Sequence, residues 1–372
     1  MAVLSQNFEF TVGALMPDFI WQDAQQADDP LMKAFPFGYE DADKVKWDQY
    51  ENPYGLIPYR GLDGNPPLVS FPGFRQYNFD PGYFGGYTQL SETEITAERQ
   101  PGTIASPLDV DDRLGMLMLH ASTMIVSRCR KMLSDMLVAG KFTVTGAQGQ
   151  VYGYQVDGYR TKVPGVGWNA SPTTAVPIND MLQWQAELQR GTSSKFGGES
   201  ILLANSNTIA ELFKTTQIQT SYRTKYGASV IGLDGAADLA GLNSITQGFD
   251  LPKIVRYDHG YYPTLADAVN RTTANFTYII PNRTLIWLGK RPDTNKVGQF
   301  QLTRHAGLVE TGQAKGYPSI RTRNTEAAEI AKGLYVRSHY INRMPHHYDL
   351  EFGFNGGPVM WWGSAAAGIT YS

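Results

Sequence analysis

The clearest pattern in the chain is a run of apolar residues spaced three or four apart within residues 107–139. This spacing places the apolar side chains on one face of an α-helix. Ser106 suits the N-cap, Pro107 the first turn and Gly140 the position after the last turn. About 33 residues at 1.5 Å each give a rod of roughly 50 Å, so we expect one long spine helix with a sheet packed along it. The expected packing positions are Leu114, Met118, Ala121, Ile125, Met132 and Met136.

After Gly140 the apolar pattern changes to a period of two, which is typical of β-strands. Residues 142–145 and 150–156 flank a glycine-bounded turn and predict a β-hairpin. Helical and strand patterns then alternate as far as residue 292, which indicates a compact lobe. The final third of the chain is mainly strand-like. The whole pattern predicts an α+β protein.

Residues Pro30–Leu90 contain many prolines and glycines, which disfavour a long helix and interrupt central strands. The same segment contains fourteen aromatic residues, whereas disordered chains are poor in aromatics. Two interpretations remain open. The segment is either a loop-rich cap over its own domain or an extended arm that lies on neighbouring subunits.

Composition narrows the possible functions. A chain of 372 residues is long enough for two or three lobes. The net charge of −3 gives no basic surface for sequence-specific DNA binding, and the first fifty residues carry a local net charge of −6. A single cysteine, Cys129, excludes an internal disulfide. No signal peptide and no run of 18 apolar residues is found, so we expect a soluble protein made in a cytoplasm.

The candidate catalytic motifs fail on inspection. Residues 307–312 have the glycine spacing of a phosphate loop, but Gln313 and Ala314 stand where Lys and Ser/Thr bind phosphate and magnesium. His346 and His347 are adjacent, and adjacent strand residues point to opposite faces. Asp109, Asp111 and Asp112 are explained by the positive end of a helix dipole. We therefore expect no catalytic residue, no metal, no cofactor and no enzyme activity.

Four passages in order resemble a known family: Ala139–Gly146 with Val156–Tyr159, Ser200–Asn205, Leu251–Asp258 and Ile279–Asn282. Together with the arm, the aromatic loop and the long helix, they are similar to the lambda-like capsid protein E family, the major capsid proteins of tailed phages. The resemblance implies the Hong Kong 97-type shell fold. Its implied parts are an N-terminal arm (1–50), an extended loop (51–105), a peripheral domain (106–175 and 293–345, with spine helix 107–139) and an axial domain (176–292 and 346–372).

The resemblance also implies a function. The chain would assemble into hexamers and pentamers of an icosahedral head, built in the host cytoplasm and retained in the virion around a double-stranded DNA genome. Implied partners are copies of itself, a separate scaffolding protein, a portal, a decoration protein and non-specifically contacted DNA, without a membrane. The extended loop would contact the adjacent subunit through Tyr54, Tyr59, Phe71, Phe74, Tyr77, Phe79, Tyr83, Phe84 and Tyr87.

One feature departs from part of that fold family. In shells of this fold that are covalently cross-linked, a lysine of the extended loop forms an isopeptide bond with a neighbouring subunit. No lysine lies between Asp48 and Arg130 in this chain. We therefore expect non-covalent stabilisation. Two alternatives remain: an encapsulin-type nanocompartment, which shares the shell fold, and a β-rich carbohydrate-active or adhesive protein.

Overall fold

The computed structural model describes residues 29–40, 42, 44–50, 74–79, 82–97, 110–145, 151–190, 192, 194–226, 239–263, 275–291, 296–303, 334–341 and 344–371. Much of the expected arm and part of the expected extended loop, including Tyr54, Tyr59 and Phe71, lie outside these ranges.

The described chain contains both helices and strands, in runs of one to several elements of each kind. The helices are α1 (Pro30–Ala34), α2 (Glu92–Ala97), α3 (Val110–Ala139), α4 (Pro177–Gln189), α5 (Ser206–Phe213), α6 (Thr216–Tyr226) and α7 (Leu239–Gly248). The strands are β1 (Phe37–Glu40), β2 (Val45–Tyr50), β3 (Phe74–Phe79), β4 (Gly82–Leu90), β5 (Lys141–Thr145), β6 (Val151–Gln155), β7 (Arg160–Lys162), β8 (Ile201–Ala204), β9 (Lys253–Arg256), β10 (Gly260–Tyr261), β11 (Thr277–Tyr278), β12 (Thr284–Leu288), β13 (Gly298–Thr303), β14 (Leu334–Ile341), β15 (His347–Met360) and β16 (Ala366–Thr370).

Helix α3 is the long element around which the chain is arranged, and it packs against β15, β12 and β16. One row of its buried side chains recurs every three or four residues: Ala121, Ile125, Cys129, Met132 and Met136. Val126, Leu133 and Leu137 form a second buried row beside it. The side chains of Leu114 and Met118 lie outside the described set. Gly140 ends the helix with a φ of +67°, and its N–H donates to the Met136 carbonyl at 2.8 Å. This left-handed position turns the chain directly into the β5–β6 hairpin.

The first sheet is built on β15. Strands β14, β4 and β13 are all antiparallel to it, and β1 pairs parallel with β13 on the far side. The long strand passes through Gly356-Gly357-Pro358 without a break. A Cβ at Gly356 would lie 2.4 Å from the Gln301 carbonyl oxygen, so only glycine allows this close approach of β13.

The second sheet has the order β7-β16-β12-β8-β9. Its central strand, β12, is buried at every position, as expected for a strand with both faces covered. Ile286 and Leu288 face a core shared with α3 and the first sheet. Leu285 and Trp287 face a second core formed with helices α4 to α7. One strand therefore joins the two cores.

Part of the Pro/Gly-rich aromatic segment folds onto this body. Strands β2 and β3 form an antiparallel ribbon, and the Trp47 and Tyr77 rings stack at 5.2 Å between centroids. Phe79 packs edge-on against Phe142 at 5.4 Å and is 4% exposed. The ribbon therefore shares its own chain's core.

Residues 346–372, expected in one domain with 176–292, contribute to both sheets. Strand β15 belongs to the first sheet, whereas β16 pairs with β12 and β7 in the second. The short 3₁₀ turn Gly363–Ala365 carries the chain from one sheet to the other.

Candidate assembly surfaces

Strand β4 places two tyrosines on the outside of the first sheet. Tyr83 is 67% exposed and Tyr87 is 75% exposed, so both rings are largely open to solvent. Side chains alternate along a strand, so Tyr83, Tyr87 and Gln89 share one face. Gln89 Nε2 donates to Asp349 Oδ1 at 3.1 Å on the neighbouring strand. The result is an exposed aromatic surface on a paired strand, hereafter the tyrosine face (Tyr83, Tyr87).

The opposite face of β4 is held to its own chain. The Phe84 ring stacks on Phe354 with 5.1 Å between centroids, and the Arg128 guanidinium lies 4.9 Å from the Phe84 centroid. Leu90 is buried at the end of the strand. These contacts fix the strand, and with it the direction in which the tyrosine face points.

The nine aromatic residues expected at the subunit interface divide by environment. Tyr83 and Tyr87 are exposed, whereas Phe79 is buried and is therefore removed from the set. Tyr77 is half-buried, and its hydroxyl donates to Asp157 Oδ2 at 2.5 Å. Phe84 is half-buried against Phe354. The Phe74 side chain, like Tyr54, Tyr59 and Phe71, lies outside the description.

The sequence interpretation missed a buried polar centre at the start of the described chain. Asp29 is 1% exposed, and its Oδ1 accepts from the Leu31 and Met32 backbone N–H groups at 3.0 and 3.4 Å. Its Oδ2 accepts from Arg130 Nε at 2.8 Å and from the Tyr257 hydroxyl at 3.2 Å. Asp-Pro before an apolar pair is a helix-start signature, so the cap was detectable in the sequence, whereas the Arg130 contact was not.

Burial also governs the titratable groups nearby. Desolvation, and then the negative charge of Asp29, raise the pKa of the Tyr257 hydroxyl. Desolvation raises the pKa of the Cys129 thiol well above its usual range, despite the positive charges of Arg130 and Arg128. Within the described stretches, no group of three His, Cys, Asp or Glu side chains is arranged to hold a metal ion. No described helix is long and apolar enough to cross a membrane.

Comparison with known proteins identifies the protein family to which the chain belongs. A family model described as phage major capsid protein E matches residues 27–296, and the chain belongs to this family. This confirms the family predicted from the sequence. The family is a class of shell proteins rather than of enzymes, and the match favours a phage capsid protein over the encapsulin alternative.

Solved structures agree on the fold. The putative capsid protein of a prophage of E. coli CFT073 superposes with a TM-score of 0.51 at 12% identity, covering 95% of this chain and 97% of that one. A phage-related protein from Bordetella bronchiseptica RB50 gives a TM-score of 0.51 at 9% identity, covering 95% of both chains. The predicted α+β shell fold of the Hong Kong 97 type is thereby confirmed. No match was found among curated proteins.

Proposed function

We propose that this capsid subunit assembles into hexamers and pentamers of a tailed-phage head by covering its tyrosine face with a neighbouring subunit. The observation that carries the proposal is the 67% and 75% exposure of Tyr83 and Tyr87 on a strand whose other face is packed. Tyrosine is enriched among the residues that dominate interface energetics, because it offers a large ring with few rotatable bonds.

The spacing of the two tyrosines suits a single contact. Four residues along a strand separate them by roughly 13 Å, and both rings project from the same face. Gly85 lies between them on that face, so a neighbour can approach the backbone closely. This favours an extended segment or a sheet edge of the adjacent subunit as the contacting element.

The shell is held without covalent links in this proposal. The stretch from Asp48 to Arg130, which includes β4, contains no lysine able to donate an isopeptide bond. Stabilisation then depends on the arm, the extended loop and a decoration protein. In this proposal the peripheral domain (106–175 and 293–345) carries α3, β13 and β14. The axial domain (176–292 and 346–372) carries β8, β9 and β12 and meets its copies at the symmetry axes.

The remaining partners follow from the same proposal. A separate scaffolding protein guides assembly in the host cytoplasm, a portal occupies one vertex, and packaged DNA is contacted without sequence specificity. The low net charge of −3 supports weak contact with the phosphate backbone, because strong binding requires many Lys and Arg contacts.

The test is the double variant Tyr83→Ala/Tyr87→Ala, followed by sedimentation velocity and negative-stain microscopy. We expect the folded subunit to keep its unfolding free energy within about 0.5 kcal/mol, because surface substitutions rarely change it more. Closed shells should be replaced by free subunits or small oligomers.

Two matched variants complete the design. Tyr83→Phe/Tyr87→Phe keeps both rings and should retain assembly, and Val163→Ala removes apolar surface from another exposed side chain (69% exposed) and should also assemble. Wild-type shells formed by the double alanine variant would show that the tyrosine face is not the contact.

A further inference from the structure

Helix α6 is held against the rest of the chain along one side. Ile218, at 1% exposed, is its buried residue. Lys225 Nζ donates to the Ser244 carbonyl oxygen at 2.6 Å and to Ser244 Oγ at 2.7 Å. A Cβ at Gly241 would lie 2.7 Å from the Tyr222 ring, so α7 packs closely against that ring. These contacts fix α6 against α7, and the opposite side of α6 is exposed.

The exposed side of α6 is polar along its whole length. Residues three or four apart share one face of a helix, and the exposed row here is Thr216, Gln219, Thr220, Arg223 and Tyr226, hereafter the α6 face. Every one of these side chains can donate a hydrogen bond. A helix usually turns an apolar stripe to the core, and α6 has little of one. Burial of apolar surface therefore does not explain the composition of this face.

The α6 face is also positively charged. Residues 214–226 contain three basic residues and no Asp or Glu, and α7 contains no charged residue. Within the described part of the chain, Lys214 and Arg223 are exposed and have no carboxylate within salt-bridge distance. Lys290, by contrast, has its Nζ 3.3 Å from Glu199 Oε2. Positive potential is therefore concentrated at the α6 face, although the chain has a net charge of −3.

This combination of side chains suits the phosphate backbone of nucleic acid. Phosphate oxygens accept hydrogen bonds from Arg and Lys and from Thr, Gln and Tyr side chains, and such contacts read no sequence. The row from Thr216 to Tyr226 is about 15 Å long. The major groove of B-DNA is about 12 Å wide, so a helix lying across it can reach phosphates of both strands.

A neighbouring subunit is a less suitable occupant. The centres of protein–protein interfaces are rich in aromatic residues and poor in charged ones. The α6 face offers one ring, Tyr226, which is 41% exposed, whereas the tyrosine face offers two that are 67% and 75% exposed. The α6 face therefore fits a hydrated anionic partner better than a protein surface.

We propose that the α6 face binds the phosphate backbone of packaged double-stranded DNA, with Lys214 and Arg223 as its charged contacts. The inference rests on the proposed function, which supplies the DNA, and it names the surface that the DNA meets. Two charged contacts in each subunit give weak binding without sequence preference. Weak contacts repeated over many subunits hold the genome against the shell and still let it slide during packaging.

Fluorescence anisotropy of the unassembled full-length subunit with a fluorescein-labelled DNA duplex of mixed sequence tests the proposal. Titrations between about 50 and 200 mM NaCl give the slope of log K against log salt, which is about −0.9 for each phosphate contact. Lys214→Gln/Arg223→Gln should make the slope less negative by about 1.8 and weaken binding at about 100 mM salt by tenfold or more. Lys214→Arg/Arg223→Lys keeps both charges and should keep the slope.

The matched variant Lys195→Gln/Lys253→Gln removes two other exposed lysines near the second sheet and should leave the slope and the affinity unchanged. Equal weakening by the two neutralised pairs would overturn the proposal. So would a wild-type subunit that does not bind the duplex at about 50 mM salt, where contacts with phosphate are strong.

Sedimentation velocity of the same variants separates this inference from the proposed function. Lys214→Gln/Arg223→Gln should still form shells. Loss of shells with unchanged DNA affinity would show that the α6 face contacts a neighbouring subunit, and it would overturn the proposal. A wild-type protein that binds DNA through this face but forms no shells would contradict the proposed assembly and support the α6 face as a DNA-binding surface.

Discussion

Asp29 and Arg130 form a buried ion pair between residues 101 positions apart in the chain, with Arg130 Nε 2.8 Å from Asp29 Oδ2. The Asp29 side chain is fully buried and that of Arg130 is 6% exposed. The same carboxylate caps α1 and accepts from Tyr257, just beyond β9 of the second sheet. One side chain therefore joins the end of the N-terminal segment, the spine helix and the chain leaving the second sheet.

Removing this carboxylate should be costly. Asp29→Ala removes the carboxylate that pairs with the buried guanidinium of Arg130 and also removes the α1 cap. Removing one partner of a buried ion pair costs about 3–5 kcal/mol. The free energy of unfolding, measured by guanidinium denaturation and extrapolated to water, should therefore fall by that amount. Asp135→Ala breaks the exposed pair with Lys131 and should cost less than about 1 kcal/mol. Equal losses of unfolding free energy in the two variants would show that the buried ion pair stabilises the fold no more than the exposed one does.

The junction between α3 and β5 depends on a glycine. Gly140 has a φ of +67°, and a Cβ there would lie 2.4 Å from Tyr159 Cδ1. Gly140→Ala should lower the unfolding free energy by about 1–3 kcal/mol through backbone strain, with a further loss from the clash. Gly165→Ala is the control, since nothing lies within 4 Å of a Cβ at that position. If Gly140→Ala left the unfolding free energy unchanged, the end of α3 would have to accommodate the added methyl group without strain.

Cys129 should be chemically silent in the folded protein. The thiol is fully buried, and desolvation raises its pKa, so at pH 8 almost none is present as the reactive thiolate. Reaction with Ellman's reagent should be at least about a hundredfold slower than in guanidinium, because the core must open first. Labelling at the same rate in both conditions would place Cys129 at an accessible surface.

Sequence patterns predicted the elements whose signals are local. The three-to-four spacing from Ala121 to Met136 and the following glycine defined the spine helix. The β5–β6 hairpin was predicted for the same reason. In each case one stretch of chain contains the periodicity and its stop signal.

Elements that depend on distant partners were not predictable. The sequence pattern predicts separate strands at residues 348–354 and 359–362, whereas the structure has one continuous strand, β15. Gly356 interrupts the pattern, yet the close approach of β13 requires a glycine at that position. Strand β4 is rich in glycine and gains its order from pairing with β15. Helix α6, with Ile218 as its buried residue, has too few apolar positions to show a period.

The same limit applies to the candidate site. The aromatic richness of the segment was visible in the sequence, but which of its rings are buried was not, and contact with neighbouring subunits stays a prediction. Phe79 packs into its own core, whereas Tyr83 and Tyr87 face solvent. Which aromatic points outward is decided by the register of β4 on β15, and register is a long-range property.

The central claim is that this chain is a shell subunit, and the most direct measurement is electron microscopy of the expressed full-length protein, with sedimentation velocity, in the presence and absence of a candidate scaffolding protein. The account predicts closed particles of uniform diameter, or tubes and mixtures of hexamers and pentamers when the scaffold is omitted. A protein that stays a well-behaved monomer under all of these conditions would contradict it.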